Sequence, residues 1–416
     1  MFESMVTSIA DAGRELLYGG RKPLLLQNKT TMLELCHSLL GQKGEALGTA
    51  LAREVLDRYQ GFSDEDKAYF FQTLKSKFEP DSEKLRDAIQ TFLSDASAEN
   101  RLKLERVVET PRQHLIRALN MAPGGTVALV QMRKELQRWL NDDPSLKVVD
   151  ADFVHLFKSW FNRGFLHLEQ ISWDTPAAVL EKLIAYEAVH AITGWDDLRR
   201  RLEADRRCYA FFHPALPGDP LIFVEVALTK GLASSVQTLL QDEAEGATER
   251  QNQADTAIFY SISNCQEGLK GISFGNFLIK QVAAELKSEL PHIKTFSTLS
   301  PVPGFNQWRK SNPVDKETGE PSDDAERKVL MKQCAHYLCK EKRRELPLDP
   351  VARFHLGNGA RLERINWMGD TSKRGKAQSE GIMVNYLYDL RSIEANHEAL
   401  WREGKVVMSR EVKSYL

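Results

Sequence analysis

The stretch T-A-I-F-Y-S-I-S-N-C-Q-E-G-L-K-G-I-S-F-G-N, residues 256–276, sets the interpretation of the whole chain. Its first eight residues are mostly apolar, aromatic or β-branched, which predicts a buried strand over 256–263. Glycines follow at 268, 271 and 275, and apolar side chains then recur at helical spacing over 276–290. Pro291 ends that helix before another short strand, predicted at 295–300. The order of strand, glycine loop, helix and strand indicates a mixed α/β domain.

The sequence on either side of this stretch predicts the domain organisation. Two more strands are expected upstream, at 207–213 and 221–228, with a connection rich in proline and glycine between them. Earlier still, the pattern is one amphipathic helix after another, including a helix capped by Ser63 that gathers aromatic side chains on one face. We therefore expect an α+β chain. Residues 1–170 should form a helical bundle for docking or oligomerisation, and residues 171–416 should form a mixed α/β domain.

The composition is typical of a soluble globular protein. The 416 residues include 56 lysines and arginines against 58 aspartates and glutamates, so the formal net charge is -2. This balance gives no global field for binding nucleic acid or an anionic membrane. No apolar stretch approaches the roughly 20 residues of a membrane helix, and the start has no basic segment leading into an apolar one. Five scattered cysteines indicate a reduced compartment, so we expect a cytoplasmic protein.

The glycine loop is a candidate binding site for an anion. Glycine lets the backbone approach a ligand closely, and the unpaired amides at a helix N-terminus attract a phosphate or pyrophosphate. The glycine spacing matches neither the Walker pattern nor the dinucleotide fingerprint. The same glycines also fit a tight turn before a helix that packs closely on the sheet. The sequence alone leaves both interpretations open.

Ser300 and His355 are candidates for proton chemistry. Ser300 ends the strand predicted at 295–300 and precedes the rigid turn P-V-P-G, which exposes its hydroxyl at the sheet edge, where it can meet a ligand. His355 lies between an apolar run and a G-N-G turn. Its imidazole titrates near neutrality, so it can donate or accept a proton. Each residue also fits a structural role, the serine as a turn cap and the histidine as part of a core.

Cys334, His336 and Cys339 have the residue types of a metal site. The run is too short for a structural zinc site without a second pair of ligands, and its neighbours are typical of a helix face. We therefore expect no metal at this position.

Taken together, these segments resemble the malonyl-CoA decarboxylase family. The resemblance rests on long runs between residues 256 and 388, namely A-I-F-Y-S-I-S, Q-E-G-L-K-G-I-S-F-G-N-F-L-I-K, F-S-T-L-S-P-V-P-G-F-N-Q-W, D-P-V-A-R-F-H-L-G-N-G-A-R-L-E-R-I-N-W-M-G-D and G-I-M-V-N-Y-L-Y. It implies a GNAT-like acyl-CoA-binding domain after the helical one. It also implies a homo-oligomer, dimer or tetramer, and no metal or organic cofactor, because the CoA thioester is the substrate.

The resemblance also implies roles for individual residues. The family's serine, histidine and tyrosine fall on Ser300, His355 and Tyr388. The loop that binds the CoA diphosphate falls on Lys270, Gly271, Ile272, Ser273, Phe274, Gly275 and Asn276. Ser273 stands where we associate a glutamate with the family's loop, so an orienting role for that carboxylate is not carried over.

The activity that the resemblance implies is the conversion of malonyl-CoA to acetyl-CoA and carbon dioxide, in fatty acid metabolism. The reaction leaves an enolate, whose oxygen we expect backbone amides near the third strand and the glycine loop to bind. Ser300 would hydrogen-bond the departing carboxylate and act with His355, which would protonate the carbanion. Tyr388 would orient His355 or close the pocket. Whether the serine or the histidine gives the proton stays open.

Two other functions fit the same sequence features. The first is a GNAT acyltransferase that moves an acyl group from CoA to an amine, because its CoA cradle would look alike. The second is an acyl-CoA sensor without activity, with the helical half as its partner-binding surface. Carbon dioxide release separates the decarboxylase from both.

Overall fold

The computed structural model describes residues 31–241, 244–272, 278–312 and 323–416, and these form two compact units. The first unit contains residues 31–165 and two later segments, His213–Pro217 and 266–272, and the second contains the rest. The first is helical, and the second is a mixed sheet flanked by helices. The prediction of an α+β chain, with a helical part first and a mixed α/β part afterwards, is confirmed, and the GNAT-like fold of the second part stays a prediction. The predicted boundary at residue 170 falls inside the first strand of the sheet.

The first unit is built from amphipathic helices with polar caps. The third of these shows the pattern, because Ser63 accepts a hydrogen bond from the backbone amide of Asp66 at its start, and Phe70, Phe71 and Leu74 are buried on one face. The helix that the sequence predicts after Ser63 is therefore confirmed. The helices of this unit are α1 (Met32–Gly41), α2 (Glu45–Gln60), α3 (Asp64–Lys77), α4 (Ser82–Ser94), α5 (Ala98–Val108), α6 (Pro111–Asn120), α7 (Gly125–Trp139) and α8 (Lys147–Trp160).

The start of the glycine loop packs within the helical unit. Residues 266–272 include a short 3-10 helix, Glu267–Leu269, and lie against α7. Arg133 of α7 is buried, and its Nη1 atom donates to the carbonyl oxygens of Gly268 at 2.6 Å and Lys270 at 2.9 Å. A Cβ atom at Gly268 would overlap the carbonyl oxygen of Val130. Glycine is therefore required at 268 by close packing.

The second unit contains an eight-stranded mixed sheet. Seven strands lie in the order β1-β2-β3-β4-β5-β10-β6, and β9 pairs with β10. Four of them correspond to strands predicted from the sequence, namely those at 206–212, 222–229, 256–264 and 295–298. The sheet strands are β1 (His167–Ile171), β2 (Arg206–Phe212), β3 (Ile222–Thr229), β4 (Thr256–Asn264), β5 (Thr295–Thr298), β6 (Ser300–Pro301), β9 (Arg361–Asn366) and β10 (Met383–Leu387), and β7 (Lys342–Arg343) and β8 (Leu346–Pro347) form a separate hairpin.

The two central strands of the sheet, β4 and β5, separate at the end of β5. β4 and β5 are parallel and pair from Thr256 with Thr295 to Phe259 with Thr298. The Leu299 amide donates one further bond to the Phe259 carbonyl oxygen, while β4 runs on for several residues. On its other side β5 faces β10, which is antiparallel to it. The end of β5 therefore lies between a parallel and an antiparallel neighbour.

Helices of the second unit cover the sheet and connect its strands. The buried side of the helix that follows the glycine loop includes Ile279, Val282 and Leu286, at the spacing predicted from the sequence. Within the described ranges, no helix is both long and apolar enough to cross a bilayer. The helices are α9 (Ala177–Tyr186), α10 (Trp195–Arg201), α11 (Val236–Gln241), α12 (Ala247–Gln253), α13 (Leu278–Glu289), α14 (Phe305–Ser311), α15 (Asp323–Cys339), α16 (Pro350–Gly357), α17 (Lys373–Ser379), α18 (Ile393–Glu403) and α19 (Arg410–Lys413).

Substituting Gly268 tests the packing of the loop on α7. Gly268→Ala should lower the free energy of unfolding by about 2 kcal/mol, because the added methyl group has no space beside Val130. Gly48→Ala is the matched control, since a Cβ atom at this position in α2 would meet no atom within 4 Å. It should be neutral or stabilising, because alanine is the better helix former. Urea unfolding followed by circular dichroism measures both, and equal midpoints would contradict the close packing.

Candidate functional site

Ser300, His355 and Tyr388 form one hydrogen-bonded row inside the second unit. The Oγ atom of Ser300 is 3.1 Å from Nε2 of His355, and Nδ1 of His355 is 2.8 Å from the Tyr388 hydroxyl oxygen. All three residues are buried, with at most 5% of their surface exposed. The structure therefore brings together the three residues that the sequence singled out as catalytic candidates.

Ser300 is held by strand pairing and by a second hydrogen bond. It begins β6 and lies opposite Val384 of β10, so its backbone is fixed within the sheet. Its hydroxyl donates to Oγ1 of Thr298 at 2.9 Å. The sequence predicts an exposed hydroxyl at this strand end, whereas the structure buries it beneath its neighbours. The hydroxyl lies at a strand end but within a packed polar cluster.

His355 is placed by a short helix with a strong N-terminal cap. Asp349 precedes α16, and its carboxylate accepts hydrogen bonds from the backbone amides of Val351 and Ala352, each at 2.9 Å. Pro350 occupies the first turn, where a missing amide proton costs nothing. His355 then lies in the last turn of this helix. The capped helix therefore sets the position from which the imidazole reaches Ser300.

Asp349 also joins this helix to its surroundings. Burial raises the pKa of its carboxyl group, against the lowering effect of hydrogen bonds from backbone amides, including that of Gly304 in the turn after Ser300. The Tyr337 hydroxyl donates to it at 3.4 Å. One buried carboxylate thus contacts both the helix that carries His355 and the turn that follows Ser300. We interpret Asp349 as part of the framework of the site.

The imidazole of His355 is neutral in this environment. Burial lowers its pKa to about 3, because a charged ring would lose its hydration. It stacks on the ring of Tyr386, with the centroids 4.7 Å apart and the planes 23° from parallel. Burial also raises the pKa of the Tyr388 hydroxyl, which therefore keeps its proton. The expectation that this imidazole titrates near neutrality is wrong here, because the sequence does not show how deeply the ring is buried.

The predicted diphosphate-binding loop is described only in part. Lys270, Gly271 and Ile272 belong to the first unit, whereas Ser300, His355 and Tyr388 belong to the second. Lys270 is exposed, and Gly271 has a φ of +80°, a conformation that favours glycine. The remaining loop candidates lie outside the described residues, namely Ser273, Phe274, Gly275 and Asn276. The binding role of this loop stays a prediction.

Thr298 and Asp349 are residues of the site that the sequence interpretation missed. Thr298 lies two residues before Ser300, and this spacing places two side chains on one face of a strand. Asp349 directly precedes a proline and a run of apolar residues, which is the signature of a helix start. Both signals were present in the sequence. Neither indicates by itself which distant side chain the residue contacts.

The helix that contains Cys334, His336 and Cys339 separates these side chains. Cys334 and Cys339 are buried in α15, whereas the His336 side chain is 53% exposed and lies 3.2 Å from Glu341. All five cysteines are free and buried. In the described part of the chain, no group of three or more histidine, cysteine or acidic side chains is arranged to hold a metal ion. The helix-face interpretation of this run agrees with these positions.

Two family models match the chain. One, described as the malonyl-CoA decarboxylase C-terminal domain, matches residues 164–325 and 314–416, and the N-terminal domain of the same family matches residues 78–161. Among curated proteins, "Malonyl-CoA decarboxylase, mitochondrial" from Anser anser anser is 39% identical over 351 residues, covering 74% of this chain and 70% of that protein. The protein of the same name from Rattus norvegicus is 36% identical over 361 residues, covering 76% and 73%.

Solved structures give the same result. The crystal structure of malonyl-CoA decarboxylase from Rhodopseudomonas palustris is similar with a TM-score of 0.85 at 49% sequence identity, covering 92% of this chain and 98% of that one. The corresponding structure from Agrobacterium vitis has a TM-score of 0.86 at 47% identity, covering 92% and 99%. These similarities extend over nearly the whole chain.

The low pKa of His355 predicts a specific dependence of stability on pH. Histidine in the unfolded chain has a pKa of about 6.5, so between there and about 3 the unfolded state binds more protons than the folded state. The contribution of His355 to the free energy of unfolding is therefore complete above pH 6.5 and is lost as the pH falls toward 3. Between pH 7 and pH 5 the free energy of unfolding of the native protein should fall by about 2 kcal/mol more than that of a His355→Gln variant.

Urea unfolding at the two pH values measures this difference. His155→Gln is the control, because this histidine is exposed on α8, and its variant should follow the native protein. The same pH dependence in the native protein and in His355→Gln would contradict a buried, neutral imidazole.

Proposed function

Since this chain belongs to the malonyl-CoA decarboxylase family, we propose that it converts malonyl-CoA to acetyl-CoA and carbon dioxide. The observation that carries the proposal is the buried row of Ser300, His355 and Tyr388. A hydroxyl and an imidazole at hydrogen-bond distance can hold a proton and transfer it to a reacting carbon. A decarboxylation that ends in protonation of a carbon needs such a proton donor.

The chemistry of the substrate defines what the site must do. The bond between the carboxylate carbon and the methylene carbon breaks, and its electron pair enters the thioester carbonyl to give an enolate. Carbon dioxide leaves, and the methylene carbon then takes one proton, so each turnover consumes one proton from solvent. The thioester accepts the electrons itself. We therefore propose that the reaction uses no metal and no organic cofactor.

Each residue of the row has a role in this proposal. Ser300 hydrogen-bonds the departing carboxylate, and His355 donates the proton to the carbanion. Tyr388 contacts Nδ1, the nitrogen on the far side of the ring from Ser300, and so holds the imidazole in place. Backbone amides near β4 bind the thioester oxygen, at about 3 kcal/mol of transition-state stabilisation for each donor.

We propose that the loop from Lys270 to Asn276 binds the diphosphate of CoA. Two features of its described residues support this. The buried guanidinium of Arg133 holds the carbonyl oxygens of Gly268 and Lys270, so the backbone at the start of the loop is fixed. A Cβ atom at Gly271 would meet no atom within 4 Å, so its backbone is open to a ligand. Lys270 is exposed and supplies a positive charge beside a phosphate.

Assembly and location are further proposals. We propose a homo-oligomer, dimer or tetramer, and exposed apolar side chains on the helical unit support it: Ile89 and Leu93 of α4, and Leu102 and Val108 of α5. We propose that the protein works in the cytoplasm, which the buried free cysteines support. The curated relatives named above carry the word mitochondrial, so a mitochondrial location is the alternative.

A turnover assay tests the reaction and the catalytic roles. Malonyl-CoA labelled at its free carboxyl carbon should give labelled carbon dioxide and acetyl-CoA without added metal. In D2O each acetyl group should contain one deuterium from the enzymatic protonation. His355→Ala and Ser300→Ala should each lower kcat by roughly 10²- to 10⁴-fold, because proton transfer to carbon loses its donor or the donor's partner.

The exposed histidine of α8 supplies the control for this assay, since His155→Ala should keep the native rate. Near-native carbon dioxide release by both folded site variants would exclude the proposed roles. Transfer of the acyl group to an added amine without carbon dioxide release would favour the acyltransferase instead.

Lys270→Gln tests the diphosphate loop separately from the chemistry. The variant should raise KM for malonyl-CoA about tenfold with little change in kcat, because a charge on the nucleotide end binds substrate and transition state equally. Lys103→Gln, a charge change on the exposed surface of α5, is the control. Steady-state kinetics measure both variants, and an unchanged KM for Lys270→Gln would argue against contact between this side chain and CoA.

A further inference from the structure

We propose that Thr298 is a positioning residue that determines which nitrogen of His355 carries the hydrogen. This inference deepens the proposed function, because it identifies the proton that reaches the substrate carbon. It rests on the direction of each hydrogen bond along the row from Thr298 through Ser300 and His355 to Tyr388. No side chain of that row is exposed.

The hydroxyl of Thr298 has a fixed place in the sheet. Its Oγ1 atom accepts a hydrogen bond from the backbone amide of Tyr386 at 3.1 Å, and the side chain is fully buried. The carbonyl oxygen of Thr298 accepts from the Asn385 side chain at 2.7 Å. Side chains thus replace part of the usual ladder between β5 and β10. In the pairing of β10 with β9 the register shifts between Asn385 and Tyr386. A hydroxyl bound in this way presents a constant acceptor to Ser300.

The donor role of the Ser300 hydroxyl toward Thr298 determines the direction of the remaining bonds. Ser300 has one hydroxyl hydrogen, and it points to Oγ1 of Thr298 across 2.9 Å. Its oxygen must therefore accept at the contact with Nε2 of His355, so that nitrogen carries the hydrogen. A neutral imidazole has a single N–H hydrogen, so Nδ1 has none and accepts from the Tyr388 hydroxyl.

This arrangement places the transferable hydrogen on the side of the ring that faces Ser300. When malonyl-CoA binds, its carboxylate competes with Thr298 for the Ser300 hydroxyl hydrogen. After the carbon–carbon bond has broken and carbon dioxide has left, the bond between Nε2 and its hydrogen breaks and a carbon–hydrogen bond forms at the methylene carbon of the enolate. The Tyr388 hydrogen moves toward Nδ1 and stabilises the negative charge that develops on the ring. A solvent proton restores Nε2 after the products leave.

Removing the Thr298 hydroxyl should reverse the direction of the hydrogen bonds between Ser300, His355 and Tyr388. In Thr298→Val the Ser300 hydrogen has lost its acceptor and turns to Nε2, which moves the ring hydrogen to Nδ1. The wrong tautomer should lower kcat by roughly 10- to 100-fold. KM should stay within about threefold, because the substitution removes no ground-state contact to CoA. Thr298→Ser keeps the hydroxyl and should retain at least about a third of the native kcat.

Nitrogen-15 NMR of protein labelled at histidine reports the tautomer directly, because protonated and unprotonated ring nitrogens resonate far apart. The His355→Gln variant assigns the signal. We expect the hydrogen on Nε2 in the native protein and in Thr298→Ser, and on Nδ1 in Thr298→Val. Circular dichroism establishes whether each variant is folded. If Thr298→Val does not fold, the position of the ring hydrogen in the native and Thr298→Ser spectra tests the proposal.

A native His355 with its hydrogen on Nδ1, or an unchanged tautomer in folded Thr298→Val, would overturn the proposal. The spectrum is recorded without substrate, so it does not depend on which reaction the protein catalyses. If the tautomer shifts as expected but malonyl-CoA is not decarboxylated, the proposed function fails and the positioning by Thr298 stands. If decarboxylation proceeds while the tautomer is the opposite one, the positioning fails and the proposed function stands.

Discussion

A buried imidazole with both nitrogens hydrogen-bonded is the constraint on which the second unit depends. Burying a polar group without a partner costs about 1–3 kcal/mol. His355 avoids this cost because Ser300 lies at one nitrogen and Tyr388 at the other. Ser300 comes from a strand, Tyr388 from the segment just after another strand, and the imidazole from a helix. The site therefore exists only while β6, α16 and the segment after β10 keep their positions to within about 0.5 Å.

The register of β10 provides that accuracy. Val384 lies opposite Ser300, and the Tyr388 amide donates to the Phe296 carbonyl oxygen at 2.8 Å. One strand thus fixes the serine at one end and the tyrosine at the other. A slip by one residue would turn the side chains of β10 to the opposite face of the sheet. The polar contacts of Thr298 and Asn385 oppose such a slip, because each has partners only in this register. The geometry of the row and the register of the sheet are therefore the same constraint.

Local pattern predicted the elements but not their long-range contacts. Strands at 256–264 and 295–298 and the helix after the glycine loop could be predicted, because side-chain periodicity records them directly. The pairing of Ser300 with His355 came from the family resemblance, since 55 residues separate them and periodicity carries no information over that distance. The lowered pKa of His355 could not be predicted either, because it follows from burial by Tyr386 and other distant residues. The packing of the first part of the glycine loop with the helical unit could not be predicted for a similar reason, because only the fold places Gly268 beside Val130.

A neutral imidazole suits the proposed reaction better than a charged one. An imidazolium would pair with the malonyl carboxylate and stabilise the bound substrate, and binding of that kind does not accelerate the chemical step. A neutral ring forms no such ion pair, so its hydrogen is attracted mainly as negative charge develops on the substrate carbon. The enolate is a strong base and does not need a strong acid. The burial that lowers the pKa of His355 therefore directs its hydrogen-bonding strength to the transition state. The same burial explains why both ring nitrogens of His355 need hydrogen-bond partners in the folded protein.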